Sequence, residues 1–186
     1  ENQSHWFKCL KPGEKFESVP AAVGAVLGGN EEMAEELTRY RRRIRRENED
    51  NEKLAVIFND YMNCLWAEPT TEKEIPLIDA AAEIGCEYYC IDAGWYADGY
   101  WWDEVGEWLP SGIKEVIDYI RSKGMIPGLW LELEVMGIHC PKLKDMPEDC
   151  FFHRHGKRVY DRSRYQLDFR HPAVREHATQ VIDRLV

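Results

Sequence analysis

The sequence predicts an α/β fold assembled from consecutive strand–helix units around a parallel sheet. Three observations carry that expectation. Strand-like runs begin near residues 54, 87 and 125, an interval of ~33 to 38 residues that suits a strand plus its crossover helix. The first run is apolar throughout, as a strand covered on both faces is. Amphipathic segments with start and stop signals fill the gaps between the runs.

Each element has its own local cause. Residues 1–29 are irregular, with a short strand expected around "HWFKCL" and then the small, Gly-rich "SVPAAVGAVLGG". A helix is expected from Asn30 to Glu47, with Met33, Leu37, Tyr40 and Ile44 in one stripe at helical spacing. Glu31 and Glu32 in its first turn and five arginines between Arg41 and Arg46 in its last match the helix dipole. That match accounts for the basic cluster better than a nucleic-acid patch does. "KLAVIFND" reads as the first strand, and "TTEKEIPLIDAAAEIG" as a helix with Thr71 and Glu74 spaced as a capping box and Gly85 as its stop. Pro76 falls near the helix start, where proline costs least. "EYYCID" is the second strand, "IKEVIDYIRSKG" the next helix and "MIPGLWLELE" the third strand. The stretch 135–170 is longer than a routine connection and is expected to fold over one face, with a hairpin in "KRVYDRSRYQLDF". Pro172 opens the last helix, whose buried stripe is Val174, Ala178, Val181 and Leu185.

Composition narrows the partners. Hydrophobic residues make up 44% and charged residues 31% of the 186, as in ordered globular proteins. A net charge of −10 opposes nucleic acid and anionic membranes as partners, since both would repel it. No apolar run approaches the ~20 residues of a membrane span, and residues 1–30 lack a signal-peptide pattern. Six scattered cysteines in a chain too large to need staples suggest thiols in a reducing compartment. A cytoplasmic location is therefore expected.

Chemistry gathers where the strands end. Asp60 follows the first, Asp92 the second, and Glu132 and Glu134 the third. In strand–helix folds the carboxyl ends of the strands form the functional face, so three neighbouring strands deliver acids to one rim. Beside them runs "DAGWYADGYWWDEVGEW". A sugar ring has C–H bonds on its faces and hydroxyls around its edge. Flat Trp and Tyr rings flanked by carboxylates suit both, and Gly94 and Gly99 allow close backbone approach. The same tryptophans would equally serve as a small satellite core; Trp95, directly after the strand end, is the strongest candidate for a platform.

The segments "CIDAGWY", "GEWLP", "GMIPGLWLELEVMG" and "RYQLDFRHPAVREHATQVIDRL" resemble the melibiase-type α-galactosidases of glycoside hydrolase family 36, in the family's order, across residues ~54–186. The resemblance implies a (β/α)8 TIM barrel that hydrolyses terminal α-galactosides with retention and without a cofactor or metal. Residues 51–186 would then be the first three β/α units, and residues 1–50 the end of an N-terminal β-sandwich region with its linker helix. Carried over by position, Asp92 and Trp95 match the motif after the second strand, Trp130 and Glu132 the "GLW-E" segment, and Asn59 the asparagine after the first strand. Asp60, at the same strand end, joins the expected substrate-binding set. Three departures stand out. Ala93 replaces a second aspartate, Tyr61 and Met62 replace a Trp-Glu pair, and a basic–Phe–Pro segment is missing between Pro110 and Ile113. The first two bear on strict galactose selectivity. Retaining chemistry needs two carboxyl groups ~5 Å apart, and the resemblance puts both beyond Val186. The 186 residues alone are therefore expected to bind an oligosaccharide or α-galactoside but not to turn it over, and to self-associate through open sheet edges.

Other arrangements compete. "HCPKLKDMPEDCFFHRH" offers His139, Cys140, Cys150, His153 and His155 as nominal zinc ligands, but its spacing follows no finger or ribbon. Glu132 and Glu134 would point the same way on a regular strand and form an acid/base pair. A non-catalytic carbohydrate-binding or assembly module would keep the aromatic rim without the reaction. No phosphate-binding glycine loop and no Ser or Cys nucleophile motif appears.

Overall fold

A computed structural model describes residues 8–186, so half of the strand expected around "HWFKCL", residues 5–7, lies outside the described residues, and Lys8, Cys9 and Leu10 form no strand. The chain divides into two compact units, Glu1–Asn51 and Glu52–Val186. In the first unit α1 spans Asn30–Ile44. The Glu32 carboxylate accepts a hydrogen bond from the Gly29 amide at 2.7 Å, closing its first turn. No residue of α1 is buried; its Met33–Ile44 stripe lies exposed. A short helix α2 follows at Glu49–Lys53.

The second unit is ordered around three parallel strands: β1 at Ile57–Asn59, β2 at Tyr88–Ile91 and, after the elements named next, β5 at Ile126–Leu129. Helix α3, Thr71–Glu83, links the first two. The aromatic loop then forms a two-stranded antiparallel ribbon, β3 at Tyr96–Ala97 and β4 at Trp101–Val105, before α4 at Lys114–Ser122 leads into β5. The sheet order is β1–β2–β5, all parallel, in the register Ile57–Tyr88–Ile126. The first strand is shorter than "KLAVIFND" suggests, because Leu54 adopts a left-handed conformation (φ 49°) directly after α2. The third stops at Leu129, five residues before Glu134. Glu132 and Glu134 therefore do not lie on a regular strand as a facing pair.

Helix α3 corrects a second expectation. Its N-cap is Thr70, with no side-chain cap bond, and Glu74 does not turn back to close a capping box. Instead the Glu74 side chain is fully buried beneath β2. The core on that side joins Ile78 and Ala81 of α3, Tyr89 and Ile91 of β2, Val116 and Ile120 of α4, and the rings of Trp95 and Trp102.

Residues after β5 build a second core. Strand β6, Val135–Gly137, is followed by two short turns of 3-10 helix, a small hairpin (β7, His153–Arg154; β8, Lys157–Arg158), then β9, Tyr160–Asp161, and β10, Arg164–Gln166. The expected hairpin is the β9–β10 pair. Both residues between those strands, Arg162 and Ser163, are left-handed (φ 46° and 63°), which matches the twist of a tight two-residue connection. Strand β10 also pairs antiparallel with β6. Met136, Cys140, Cys150, Phe151, Leu167 and Val174 pack together here. Helix α5, Pro172–Leu185, begins at Pro172 as expected and buries Val174, Ala178 and Val181. Arg184 near its end donates to the Trp102 carbonyl and pairs with Asp103, which fastens α5 to the aromatic ribbon. All six cysteines are free thiols, and no helix among the described residues is long and apolar enough to cross a membrane.

The aromatic loop touches the second core through bare backbone. The Gly137 amide donates to the Gly99 carbonyl at 3.2 Å, and a Cβ on Gly137 would lie 2.4 Å from that same oxygen. Gly137→Ala is expected to cost about 1–3 kcal/mol, because backbone rather than a flexible side chain must yield. Urea unfolding of the variant checks this through the midpoint; an unchanged midpoint would mean the two segments separate readily.

Candidate functional site

The parallel register brings the strand ends together. Asn59 closes β1, Asp92 follows β2, and Trp130 follows β5, whose amide donates to the Ile91 carbonyl at 3.0 Å. Asn59 Nδ2 donates to Asp92 Oδ2 at 2.7 Å, and the Ala93 amide donates to Asp92 Oδ1 at 2.7 Å. The Tyr61 amide in turn donates to Asn59 Oδ1 at 3.0 Å, which fixes the amide's orientation. The Asp92 carboxylate is thus held on both oxygens, half-buried, at the rim.

Glu132 lies three residues beyond the end of β5. It pairs with Arg164 of β10, both side chains being largely covered. Arg164 also lies 5.3 Å above the Tyr100 ring and 3.7 Å from Asp161. Tyr96 opens β3, four residues after Asp92. Burial first, then the Tyr100, Glu132 and Asp92 charges raise its phenol above the ordinary tyrosine range. Asp92 and Glu132 thus both influence the Tyr96 hydroxyl.

The rings sort differently from the sequence expectation. Trp95 is only 2% exposed and is not an open platform. Its ring packs against Trp102 (centroids 5.8 Å apart) and its indole N–H donates to the Trp130 carbonyl at 3.0 Å. The physical reason is the turn that follows Asp92. Gly94 adopts φ 100°, with Ala67 backbone so close that a Cβ would sit 2.2 Å from its oxygen. That turn aims the next side chain inward. The rings left at the rim are Trp130 and Tyr96, 6.0 Å apart, and Tyr100, stacked 5.3 Å from Tyr96. An open cleft of about 520 Å³ lies along the outer side of the ribbon, lined by Tyr96, Asp98, Tyr100, Glu107 and Trp108.

Asp60 is the second correction. It is 2% exposed and faces away from solvent, with Oδ1 accepting the Asp92 amide at 2.7 Å. Burial raises its pKa, as does the neighbouring Asp92 charge. Glu74 behind it is pushed up to about 9, by burial first and then by its hydrogen bond to Asp60 and that group's charge. Tyr96, Arg164 and Glu74 are the members that sequence reasoning missed. Tyr96 is adjacent to Trp95 and shares its local signal; Arg164 and Glu132, 32 residues apart, carry no local signal of pairing.

The family model described as Melibiase matches residues 16–186. The chain is 24% identical over 188 residues to alpha-galactosidase 1 of Pediococcus pentosaceus, covering 95% of this chain and 25% of that protein. It is 24% identical over 190 residues to alpha-galactosidase AgaA of Geobacillus stearothermophilus, with the same two coverages. Among solved structures, AgaB of Geobacillus stearothermophilus superposes with a TM-score of 0.64 at 22% identity over 78% of this chain and 21% of the other. The Thermus thermophilus alpha-galactosidase TtGalA, in complex with stachyose, gives 0.59 at 19% identity over 69% and 29%. A variant of AgaA in complex with raffinose gives 0.59 at 21% over 69% and 19%. At these identities the superpositions establish a shared α/β fold. The chain spans about a quarter of the length of the curated relatives it matches. Because the family model covers nearly the whole sequence, the chain belongs to the melibiase family.

Proposed function

We propose that this chain forms part of an enzyme that hydrolyses terminal α-galactosides with retention, and that its rim holds the terminal sugar. The observation that carries the reading is that neighbouring parallel strands deliver Asp92 and Glu132 at their carboxyl ends, each held by its own donor. Asp92 follows β2 and Glu132 follows β5; each is tied by a donor, Asn59 and Arg164 respectively, and the Tyr96 ring lies 6.0 Å from that of Trp130. Preorganised acceptors beside an apolar plane suit a pyranose with hydroxyls at its edge. Complexes of relatives with raffinose and stachyose support an oligosaccharide substrate.

In this reading residues 51–186 are the first three β/α units of a (β/α)8 barrel, preceded by a linker helix in residues 1–50. The division of the chain near residue 51 supports that boundary. Asn59, Asp92, Trp130 and Glu132 bind substrate; Trp95 and Asp60 act from beneath them. The bond-making carboxylates lie outside these residues, so the 186-residue chain binds sugar without turnover. Its strand edges β1 and β5 pair with further copies when nothing else covers them. The test is the hydrolysis of a nitrophenyl α-galactoside by the full-length protein and by this chain. Activity in the first and none in the second is expected. Galactose binding with no hydrolysis by the full-length protein would favour a non-catalytic carbohydrate-binding module instead.

A further inference from the structure

Beneath the rim lies a buried polar chain that a sugar does not reach. Asp60, Glu74 and Tyr89 are 2%, 0% and 0% exposed. The Tyr89 hydroxyl donates to Glu74 Oε2 at 2.6 Å, and the Asp92 amide donates to Asp60 Oδ1 at 2.7 Å. Asp60 Oδ2 and Glu74 Oε1 are both buried without a hydrogen-bond partner, and each carboxyl shifts the ionisation of the other. These two orphaned oxygens, on neighbouring buried acids, are the pair that a single proton would join. Two carboxylate oxygens cannot bond without a proton between them, and two adjacent buried anions repel strongly.

We infer that Asp60 and Glu74 share one proton at neutral pH and that this acid–carboxylate pair positions Asp92 through its backbone amide. The proton resides on Glu74. Asp60 is the better anion because the Asp92 N–H is aimed at it, whereas Glu74 faces the Asp60 charge in a drier place. The chain of donors then runs Tyr89 O–H to Glu74, Glu74 O–H to Asp60, and Asp92 N–H to Asp60, with each oxygen satisfied. The other titratable groups around it are Asp92 and Cys90 at the β2 end and Cys64 near Tyr89. None of the influences on either carboxyl is a cation. Raising the pH removes the shared proton, breaks the link between α3 and the segment after β1, and frees the acceptor that holds Asp92. Glu74 ordinarily titrates at 4.5 and here at about 9. The folded chain therefore binds more protons than the unfolded one between those values, and stability falls as pH rises across that window.

The inference rests on the sugar-site reading only for its consequence in activity, so the primary test reads the pair itself. Carboxyl ¹³C NMR of the full chain is expected to show one of the two carboxyls protonated at pH 7. The Asp92 amide should lose hydrogen-exchange protection, about tenfold or more, as the pair ionises. Glu74→Gln keeps every hydrogen bond, its amide donating to Asp60 and its carbonyl accepting from Tyr89, but cannot titrate. It is expected to retain Asp92 protection at pH 7 and to abolish the loss at high pH, while Glu74→Ala loses protection at every pH. Two ionised carboxyls at pH 7 in the unsubstituted chain would overturn the proposal even if a variant failed to fold. So would Glu74→Gln behaving as Glu74→Ala. An inert Asp92→Ala in the activity assay would instead overturn the sugar reading and leave the pair standing.

Discussion

Under the proposed function, Asp92→Ala is expected to lower kcat/KM of the full-length protein on an α-galactoside by ~10- to 150-fold. The carboxylate is held by Asn59 and by the Ala93 amide at 2.7 Å each, so it is presented to a ligand with little freedom left to lose. A hydrogen bond from a sugar hydroxyl to such a charged acceptor is worth ~1.5–3 kcal/mol, which converts to that range of rate. If the contact tightens as the ring flattens toward the transition state, kcat falls more than KM rises. Steady-state kinetics of the variant decide the matter: a change below ~3-fold removes Asp92 from the site. Asn59→Ala should move the same way by a smaller step, because it orients the acid without replacing it.

Trp95→Ala is expected to destabilise the second unit by ~3–5 kcal/mol, the cost of emptying a buried aromatic site. The ring is enclosed by Trp102 and Tyr96, and its N–H satisfies the Trp130 carbonyl. Trp95→Phe separates the two contributions, keeping much of the apolar area while leaving that carbonyl unpaired. Chemical denaturation of the full chain measures both. A loss under ~1 kcal/mol for the alanine variant would mean that the ring stands free at the surface, as a sugar platform would.

The difference between these two residues shows what the sequence could carry. The interval of the apolar runs placed three parallel strands within a few residues of Ile57, Tyr88 and Ile126, because parallel pairing demands a crossover of fixed minimum length. The acids at the strand ends followed from the same regularity. What local pattern could not settle was the direction of side chains once regular structure stops. Trp95 and Trp130 both follow a strand end, yet the Gly94 turn sends one inward. Glu74 has the spacing of a capping residue, but a hydroxyl 15 residues away draws it under the sheet. Arg164 meets Glu132 only through the pairing of β10 with β6. Each of these outcomes depends on long-range contact, on which a local window is silent.

Where Gly99 and Gly137 meet, two polypeptide backbones cross with no side chain between them. Neither loop can therefore be lengthened, shortened or exchanged by itself, since its neighbour is moulded to its carbonyl oxygens. Anyone reshaping ligand preference by loop transplantation would have to move residues 92–108 and 135–140 as a matched set.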